Sequence, residues 1–390
     1  MISVAEALDH LFALATPLEA ETVALRQANG RVLATPQTAQ RTQPPFAASA
    51  MDGYAVNSAE IAAGAQFTVI GEAAAGHGFT GQVGKGQAVR IFTGAPLPDG
   101  TDHVIIQENV TRAGDRITLD DSANDTAHVR PAGGDFKQGD LLAAPRRLTP
   151  SDIALLAAMN IAAVPVTRKP VVALIATGDE LVQPGETPGP DQIIASNSYG
   201  LAALVEDLGA EARLLPIARD TAASLKLAFD LAKGADLIVT IGGASVGDHD
   251  LVGAVAQDQG LARSFYKVAM RPGKPLIAGR LGAAAMVGLP GNPVSAMVCG
   301  HVFLAPMLRK MLGLGAAPAP RQSAILAHDI AANGPREHYM RAHIGTEGVT
   351  IFPRQDSSLL SVLSDANCLA IRPPHDPARV MGETVEIIRL

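Results

Sequence analysis

The spacing of apolar residues changes along the chain and predicts where helices and strands lie. Near the start, apolar residues recur at helical spacing from Val4 to Ala15, which predicts an amphipathic helix. Helical structure is expected to extend to about residue 41, because the Gln43-Pro44-Pro45 stretch that follows cannot continue a helix. The sequence therefore predicts a helical segment over residues 1–41.

A different pattern begins at Phe46. Short alternating runs, punctuated by glycine and proline, predict strands at residues 67–70, 88–92, 102–107 and 116–119. They indicate a compact β-rich module that ends near residue 142. A helix is then predicted to begin after Thr149, since this threonine can act as N-cap, Pro150 suits the first turn and Asp152 lies at the positive end of the dipole.

From residue 170 to about residue 315, unbroken apolar runs alternate with helical stretches. The predicted strands are residues 171–176, 212–217 and 236–241, and the predicted helices are residues 198–208 and 222–233. Such an alternation indicates a parallel sheet that is covered on both faces. After Pro318 short alternating runs return, and they predict a small C-terminal β domain with strands at residues 324–326, 340–344, 349–352, 368–372 and 385–389.

Composition excludes several classes of protein. Although 47% of the 390 residues are apolar, no uninterrupted apolar run reaches the ~20 residues that a membrane-spanning helix needs, so no membrane association is expected. Glu6 and Asp9, without a basic lead-in, argue against a secretory signal. A net charge of −7 without a basic block argues against nucleic-acid binding, and the scattered histidines give no support to a zinc site. Cys299 and Cys368 are expected to be free thiols in a reducing, cytoplasmic environment.

Acidic residues follow each predicted strand of the parallel sheet. Asp179 and Glu180 follow the first strand, Asp220 follows the second, and Asp248 and Asp250 follow the third. A single acid at such a position is more often a helix cap or a loop residue. Three strand ends together favour a divalent cation, because like charges crowded at one sheet edge repel each other unless a cation compensates them. Mg²⁺ is the expected ion, since it prefers carboxylate and phosphate oxygens.

Glycine-rich turns and basic residues accompany these acids. The pattern Gly242-Gly243-x-x-x-Gly247 lets backbone N–H groups approach an anion, and GLPGNPVS at residues 288–295 precedes a helical run over residues 296–307. Either turn can also be purely structural. Three basic residues, Lys267, Arg271 and Lys274, lie close by in sequence. Acids, cations and glycine turns together suit a phosphorylated ligand bridged by a metal ion.

Six motifs occur in order along the chain: MDGYA (51–55), IFTGAPLPDGTD (91–102), ATGDELV (176–182), GGASVGDHD (242–250), RPGKP (271–275) and GLPGNPVS (288–295). In sequence and in order they resemble the signatures of molybdopterin molybdenumtransferases, the MoeA family. The chain resembles this family over nearly its whole length and is also similar to the C-terminal domain of gephyrin.

The resemblance implies a multidomain α/β plus β fold in an elongated homodimer. It implies a helical dimerisation domain from residues 1–41 and 143–168, a β-rich insert over residues 42–142, a doubly wound α/β molybdopterin-binding domain over residues 169–317, and a C-terminal β barrel over residues 318–390. In such proteins the active cleft lies between the α/β domain of one subunit and the β insert of the other.

The resemblance also implies roles for individual residues. Asp52 and Thr93 would be catalytic residues contributed by the partner's insert, whereas Glu180, Asp220 and Asp250 would be catalytic residues of the α/β domain and ligands of Mg²⁺. The implied substrate-binding residues are Asn197, Gly242, Gly243, Ser245, Lys267, Arg271, Lys274, Pro290, Pro293, Arg341 and Ser357.

The implied reaction is the last step of molybdenum cofactor biosynthesis. A transferase of this type takes adenylylated molybdopterin and molybdate, cleaves the pyrophosphate-type linkage and releases AMP; the molybdopterin adenylyltransferase is the implied partner that supplies the substrate. The reacting thiolates belong to the substrate, so no nucleophilic cysteine is needed. Two positions depart from the family pattern: Arg271 stands where many relatives have lysine, and Ala195 where aspartate is frequent.

Two alternative functions remain open from the sequence. The chain could be the adenylyltransferase that activates the pterin, although that activity is usually found on a single short domain. It could instead be a non-catalytic dimeric scaffold, although no long disordered linker is apparent. A preference for molybdate over tungstate cannot be predicted, because the two oxyanions have nearly the same size and charge.

Overall fold

The computed structural model describes residues 1–121, 126–243 and 251–390. The chain divides into two compact units. The first comprises Met1–Glu21, Gly30–Ala34 and Val166–Leu390, and the second comprises Thr22–Asn29 and Thr35–Pro165. Within the described residues, every helix is too short or too polar to span a membrane.

The first helix is shorter than the sequence predicts. It runs over Val4–Leu14 and begins with a reciprocal cap, in which the Ser3 hydroxyl accepts the Glu6 N–H (3.1 Å) and the Glu6 carboxylate accepts the Ser3 N–H (2.8 Å). The prediction of helix as far as residue 41 is wrong beyond Leu14. Pro17 lacks an N–H donor and Thr22-Val23 are β-branched, so this stretch forms a short 3-10 turn and the strands Ala20–Ala24, Val32–Leu33 and Gln37–Thr38.

The centre of the first unit is a six-stranded sheet. We label its strands β1 to β6 in chain order: Val171–Ala176, Glu211–Leu214, Leu237–Ile241, Ala262–Tyr266, Ile277–Leu281 and Ala284–Leu289. Their spatial order is β2-β1-β3-β6-β5-β4. The first four strands of this order are parallel, as predicted, and pairing of Ala176 with Ile241 and of Ile241 with Leu289 brings their carboxyl ends level.

The other edge of this sheet is antiparallel, which the apolar pattern did not reveal. β5 and β6 form a hairpin in which Leu281 pairs with Ala284 across the two residues Gly282 and Ala283, and β4 pairs antiparallel with β5. Gly282 has a φ of +61°, a conformation that glycine adopts without steric cost.

Both faces of the sheet are covered, as the sequence predicts. Leu174 of β1 packs into one apolar core, whereas Ala173 and Ile175 pack into the other, because successive side chains of a strand point to opposite faces. The covering helices are Asn197–Asp207, Ala222–Leu231, Leu251–Asp258, Pro293–Cys299 and Ala305–Met311, with a π-helical turn at Gly300–Leu304 between the last two.

The C-terminal segment forms a second sheet in the first unit. Its strands are Gln322–Ile325, Glu337–Gly345, Gly348–Ile351, Cys368–Arg372 and Thr384–Arg389; Met270–Arg271 pairs alongside Glu337–Gly345, and a short helix spans Leu360–Ser364. A bridge joins Leu326 to Val349, and the Ala327 N–H donates to the Val349 carbonyl (3.0 Å). The strands predicted after Pro318 are therefore present.

The second unit is rich in β-structure, as predicted. Its main sheet contains, in spatial order, His103–Ile106, Gly53–Val56, Gln87–Ile91, Gln66–Ala73, Arg116–Leu119 and Val110–Ala113. Shorter strands are Ala48–Ser49, Val129–Arg130, Leu141–Leu142 and Arg146–Arg147, and Ala163–Thr167 lies where the chain leaves this unit. Its helix, Pro150–Ala158, has the predicted cap, because the Thr149 hydroxyl accepts the Asp152 N–H (3.2 Å).

Candidate functional site

A cavity of about 1010 Å³ lies at the carboxyl ends of the parallel strands in the first unit. Thr177, Gly242 and Pro290 follow β1, β3 and β6, and all three line it. The Thr177 N–H donates to the Ile241 carbonyl (3.0 Å), and the Gly242 N–H donates to the Leu289 carbonyl (3.1 Å). The three strand ends therefore form one continuous floor, at the sheet edge where ligands of open α/β folds bind.

The two glycines after β3 are required by this geometry. Gly242 and Gly243 have φ values of +97° and +65°. A Cβ on Gly242 would lie 2.7 Å from the Thr177 carbonyl oxygen, and a Cβ on Gly243 would lie 2.2 Å from Cγ2 of Val252. Glycine at both positions lets the backbone turn tightly and keeps it accessible at the cavity wall.

The acids predicted after β1 and β2 reach the same cavity. Glu180 and Asp220 both line it and are exposed to solvent. Asp179 has another role, because its carboxylate accepts the N–H of Asp220 (3.1 Å). The third predicted acid, Asp250, and the predicted contact Ser245 lie outside the described residues.

The described residues contain no group of three or more His, Cys, Asp and Glu side chains that could hold a metal ion. Glu180 and Asp220 are nevertheless hard oxygen donors that open onto one cavity, which is the donor chemistry that Mg²⁺ prefers. The chemistry of these two carboxylates fits the predicted ion, which proteins usually bind through one or two carboxylates together with water and phosphate oxygens.

The turn between β6 and the helix Pro293–Cys299 is held by side-chain amides. Asn197 donates from Nδ2 to the Gly291 carbonyl (2.7 Å), and Asn292 donates from Nδ2 to the Ser357 hydroxyl (3.1 Å). Asn197, Pro290 and Pro293 line the cavity as predicted. Ser357 also accepts the Val294 N–H at its carbonyl (3.0 Å), so this predicted residue contacts the turn from the C-terminal segment.

Arg341 is fully buried and contacts the segment that contains Ser357. Its Nη2 donates to the carbonyl of Asp356 (2.9 Å), the neighbour of Ser357, and more weakly to that of Arg354 (3.4 Å). Nε and Nη1 have no hydrogen-bond partner among the described residues. Burial lowers the pKa of Arg341; the charge of Asp356 opposes this shift, and the positive charge of Arg271 adds to it. A buried guanidinium with unsatisfied donors is suited to an anion.

The three other predicted cations lie on the segment between β4 and β5. Lys267 has a left-handed backbone (φ +72°), and its Nζ lies 5.1 Å from the centroid of the Tyr266 ring. Arg271 pairs with His338 in the C-terminal sheet, and Lys274 accepts the N–H of Val268 at its carbonyl (3.0 Å). The described lining of the cavity includes none of these three cations. Pro275, which directly follows Lys274, does line it, so this segment reaches the cavity.

Asp52 and Thr93 belong to the second unit and contact each other. The Asp52 carboxylate accepts both the backbone N–H and the hydroxyl of Thr93, each at 2.8 Å. The pKa of Asp52 is lowered, first by the Thr93 N–H and then by the Thr93 hydroxyl, with a smaller contribution from Arg90. The two Thr93 donors therefore favour the ionised form of Asp52.

The sequence reasoning missed several residues of the site. Ser358 lines the cavity, Asn292 connects it to Ser357, and Arg219 contacts the acid-bearing turn after β1. Arg219 and Ser358 are direct neighbours of predicted residues, which was the only signal available. Cys299 and Cys368 are buried and free, and burial raises the pKa of both thiols, so neither is a reactive nucleophile.

Comparison with known protein families and structures gives a consistent result along the chain. Residues 2–160 match the MoeA N-terminal region (domain I and II), residues 173–310 match a probable molybdopterin binding domain, and residues 323–390 match the MoeA C-terminal region (domain IV).

Relatives that match most of the chain are named molybdopterin molybdenumtransferases. The chain is 36% identical to the molybdopterin molybdenumtransferase of Haemophilus influenzae over 95% of its length and 94% of that protein. It is 34% identical to the enzyme of the same name from Nostoc, over 100% and 94% of the two chains. A crystal structure of the molybdopterin biosynthesis MoeA protein from Pyrococcus horikoshii superposes with a TM-score of 0.86 at 28% identity and covers both chains completely.

Proposed function

The chain belongs to the molybdopterin molybdenumtransferase family, and on this basis we propose that it transfers molybdenum from molybdate to adenylylated molybdopterin with release of AMP. The observation that carries the proposal is the cavity at the strand ends. Glu180, Asp220, Gly242 and Asn197 meet there, although they are distant in sequence.

The acid-bearing turns would hold the diphosphate linkage of the substrate. Glu180 and Asp220, together with Asp250 from outside the described residues, would ligate Mg²⁺, which when bound neutralises negative charge on the linkage that is cleaved. The backbone at Gly242 and Gly243 would approach the phosphate oxygens closely, because no side chain stands in the way. The adenylate and its linkage would thereby be oriented for cleavage.

The turn at residues 290–293 would face the pterin. Asn197 fixes the carbonyl of Gly291, so Pro290 and Pro293 present a preorganised apolar surface to a flat ring. The molybdate oxyanion would bind to the donors of Arg341, with Ser357, Lys267, Arg271 and Lys274 as further contacts.

Asp52 and Thr93 would complete the site from a second copy of the chain. We propose a homodimer built on residues 1–41 and 143–168, in which the insert of residues 42–142 faces the α/β domain of residues 169–317 of its partner. The C-terminal segment of residues 318–390 is proposed to close into a barrel, which the bridge between Leu326 and Val349 supports.

Mixing two inactive variants tests this arrangement. Asp52→Asn impairs only the contribution of the insert, and Asp220→Asn only that of the α/β domain. After the two are dissociated and reassociated together, mixed dimers contain one intact site, so part of the activity should return. Failure of activity to return, with mixed dimers demonstrated by mass spectrometry, would contradict a site shared between subunits.

Neither alternative is favoured. The relatives that match the whole chain are named molybdenumtransferases, which argues against an adenylyltransferase, and the acids of the cavity argue against a non-catalytic scaffold. We propose the cytoplasm as the location and the molybdopterin adenylyltransferase as the partner that delivers the substrate.

The direct experiment combines the purified protein with adenylylated molybdopterin, Mg²⁺ and molybdate, and follows AMP. Release that depends on molybdate is the expected result. Formation of adenylylated molybdopterin from ATP would instead identify an adenylyltransferase. For Asp220→Asn we expect a loss of about 10²-fold or more, the effect of removing one preorganised electrostatic group. Repeating the assay with tungstate measures metal preference.

A further inference from the structure

The two turns that carry Glu180 and Asp220 contact each other directly. Thr177 forms a bridge with Ala218, and the Gly178 N–H donates to the Ala218 carbonyl (3.1 Å). These backbone contacts align the strand ends. Both acids lie after these contacts in the chain, on turns that side chains hold in place.

Arg219, which follows β2, connects the two turns through its side chain. Its Nη1 donates to the carbonyls of Asp179 (2.9 Å) and Leu181 (3.1 Å), the two residues that flank Glu180, and more weakly to that of Gly178 (3.4 Å). A single planar guanidinium therefore gathers the carbonyl groups of the turn on both sides of the acid. Carbonyls brought together in this way repel each other unless a cation compensates them.

A residue of the turn after β1 in turn holds the turn that follows β2. Asp179 accepts the N–H of Asp220, the residue directly after Arg219, at 3.1 Å. Each turn therefore holds the backbone of the other through one charged side chain. We call this pair of contacts, formed by Arg219 and Asp179, the reciprocal clasp.

We infer that Arg219 is a positioning residue that fixes Glu180 relative to Asp220, an inference that rests on the proposed function. Its guanidinium acts on the backbone carbonyls of the turn. A displacement of an acid by about 1 Å can lower a rate by about 10²-fold, so the clasp would influence the rate strongly without contacting the substrate.

A double-mutant cycle separates positioning from direct participation. Arg219→Gln should lower the single-turnover rate of AMP release by about 30-fold, and Glu180→Gln by about 100-fold. If Arg219 acts through Glu180, the double variant should be at most about 3-fold slower than Glu180→Gln alone, because residues that act as a unit are not additive. Multiplicative losses, or full activity of Arg219→Gln, would overturn the inference.

Arg219→Lys refines this result. Lysine keeps the charge but lacks the planar fork, so we expect a loss of about 10-fold, between wild type and Arg219→Gln. Arg213→Gln is the matched control, since Arg213 lies on β2 of the same sheet and donates to the carbonyl of Lys233 (3.2 Å), away from the acids. We expect this control to retain its rate within about 2-fold.

Hydrogen exchange provides a measurement that does not depend on turnover. In Arg219→Gln, amides of residues 178–182 and of Asp220 should exchange at least about 10-fold faster, whereas the Arg213 control should leave them unchanged. Unchanged exchange in Arg219→Gln would refute the clasp. Failure of the wild type to release AMP would refute the proposed function, and exchange would still decide whether the clasp exists.

Discussion

Two arginines of the C-terminal sheet are almost equally buried but differ in what surrounds them. Arg372 is 2% exposed, forms an ion pair with Asp376 and donates to the carbonyls of Ala331 (3.1 Å) and Pro377 (2.6 Å). Arg341 is 0% exposed, and its described hydrogen-bond acceptors are backbone carbonyls and no carboxylate.

The difference indicates a structural role for Arg372 and an anion-binding role for Arg341. A buried cation costs several kcal/mol in desolvation unless an anion compensates it, and at Arg372 the protein supplies that anion itself. At Arg341, the described surroundings leave Nε and Nη1 unsatisfied. The charge of Asp356 attracts the guanidinium and that of Arg271 repels it, but burial has a larger effect than either charge and lowers the pKa of Arg341. An arginine in this state is stabilised by a bound anion, which is why we propose that Arg341 contacts molybdate.

Replacing Arg341 should produce the largest functional effect. We expect Arg341→Met to lower kcat/KM for molybdate-dependent AMP release by about 10³-fold, because a principal donor to the oxyanion is lost. The free energy of unfolding should be unchanged or higher, since the substitution removes a buried charge that is hydrogen-bonded to carbonyls and is only partly compensated by Asp356. Urea denaturation provides the check, and a large loss of stability would contradict a reserved anion site. Arg341→Lys serves as the variant that retains the charge.

Replacing Arg372 should have the opposite result. Arg372→Met leaves Asp376 with Arg379 as its one remaining ion-pair partner among the described residues. The free energy of unfolding should therefore fall by about 3 kcal/mol, while activity per folded molecule stays within about 3-fold. Urea titration and the AMP assay together measure both quantities. Arg379→Met is the control and should cost about 1 kcal/mol, since its guanidinium is partly exposed. A stable but inactive Arg372→Met variant would contradict the assignment of a structural role to Arg372 and a functional role to Arg341.

His338 lies on the same strand as Arg341, and its pKa responds to the positive charges of this region. Burial, followed by the charges of Arg271 and Arg341, lowers its pKa to about 4. In the unfolded chain the pKa of this histidine is about 6.5, so the unfolded chain binds the proton first as the pH falls. The free energy of unfolding should therefore decrease by about 2 to 3 kcal/mol between pH 6.5 and pH 4. His338→Gln should remove this part of the pH dependence.

The charge of Arg341 should also be visible in the titration of His338 by NMR. Arg341→Met removes one of the charges that lower its pKa, so the pKa should rise in that variant. An unchanged titration would show that the two side chains are electrostatically independent.

The smallest effect is expected at Arg271. Arg271→Lys keeps the charge that acts on Arg341 and His338, and Arg271 is itself exposed. We expect kcat/KM for molybdate to change by less than about 3-fold. A change comparable to that of Arg341→Met would mean that Arg271 is a second specific donor, whose planar geometry matters.

The acids illustrate how far sequence reasoning reached in the site. Because strand ends of a parallel sheet share one edge, the positions of Glu180 and Asp220 could be predicted from the apolar runs alone. Asp179 belongs to the same predicted group, yet it accepts the Asp220 N–H, and Arg219 received no role at all. Contacts of a few ångströms between turns depend on side-chain direction, which a one-dimensional pattern does not encode.

The helical prediction for residues 1–41 failed for a related reason. Apolar spacing identified Val4–Leu14 correctly, but the following residues pair as short strands with segments distant in the chain, such as Leu33 with Val166. Short strands have little periodicity of their own, so their partners determine them. The antiparallel hairpin of β5 and β6 was missed because strands buried on both faces carry the same apolar signal in either direction.

By itself, the sequence determined the alternation of strands and helices around the parallel sheet, the β-rich character of the flanking regions, and the strand ends at which glycines and acids occur. These features are local, since they follow from apolar period and from the backbone freedom of particular residues. Only the tertiary structure decided that Arg372 is paired with a carboxylate whereas the described hydrogen bonds of the Arg341 guanidinium go to backbone carbonyls, and that Arg219 holds the turn of Glu180. The balance of charge around a buried group depends on residues far apart in the chain, which only folding brings together.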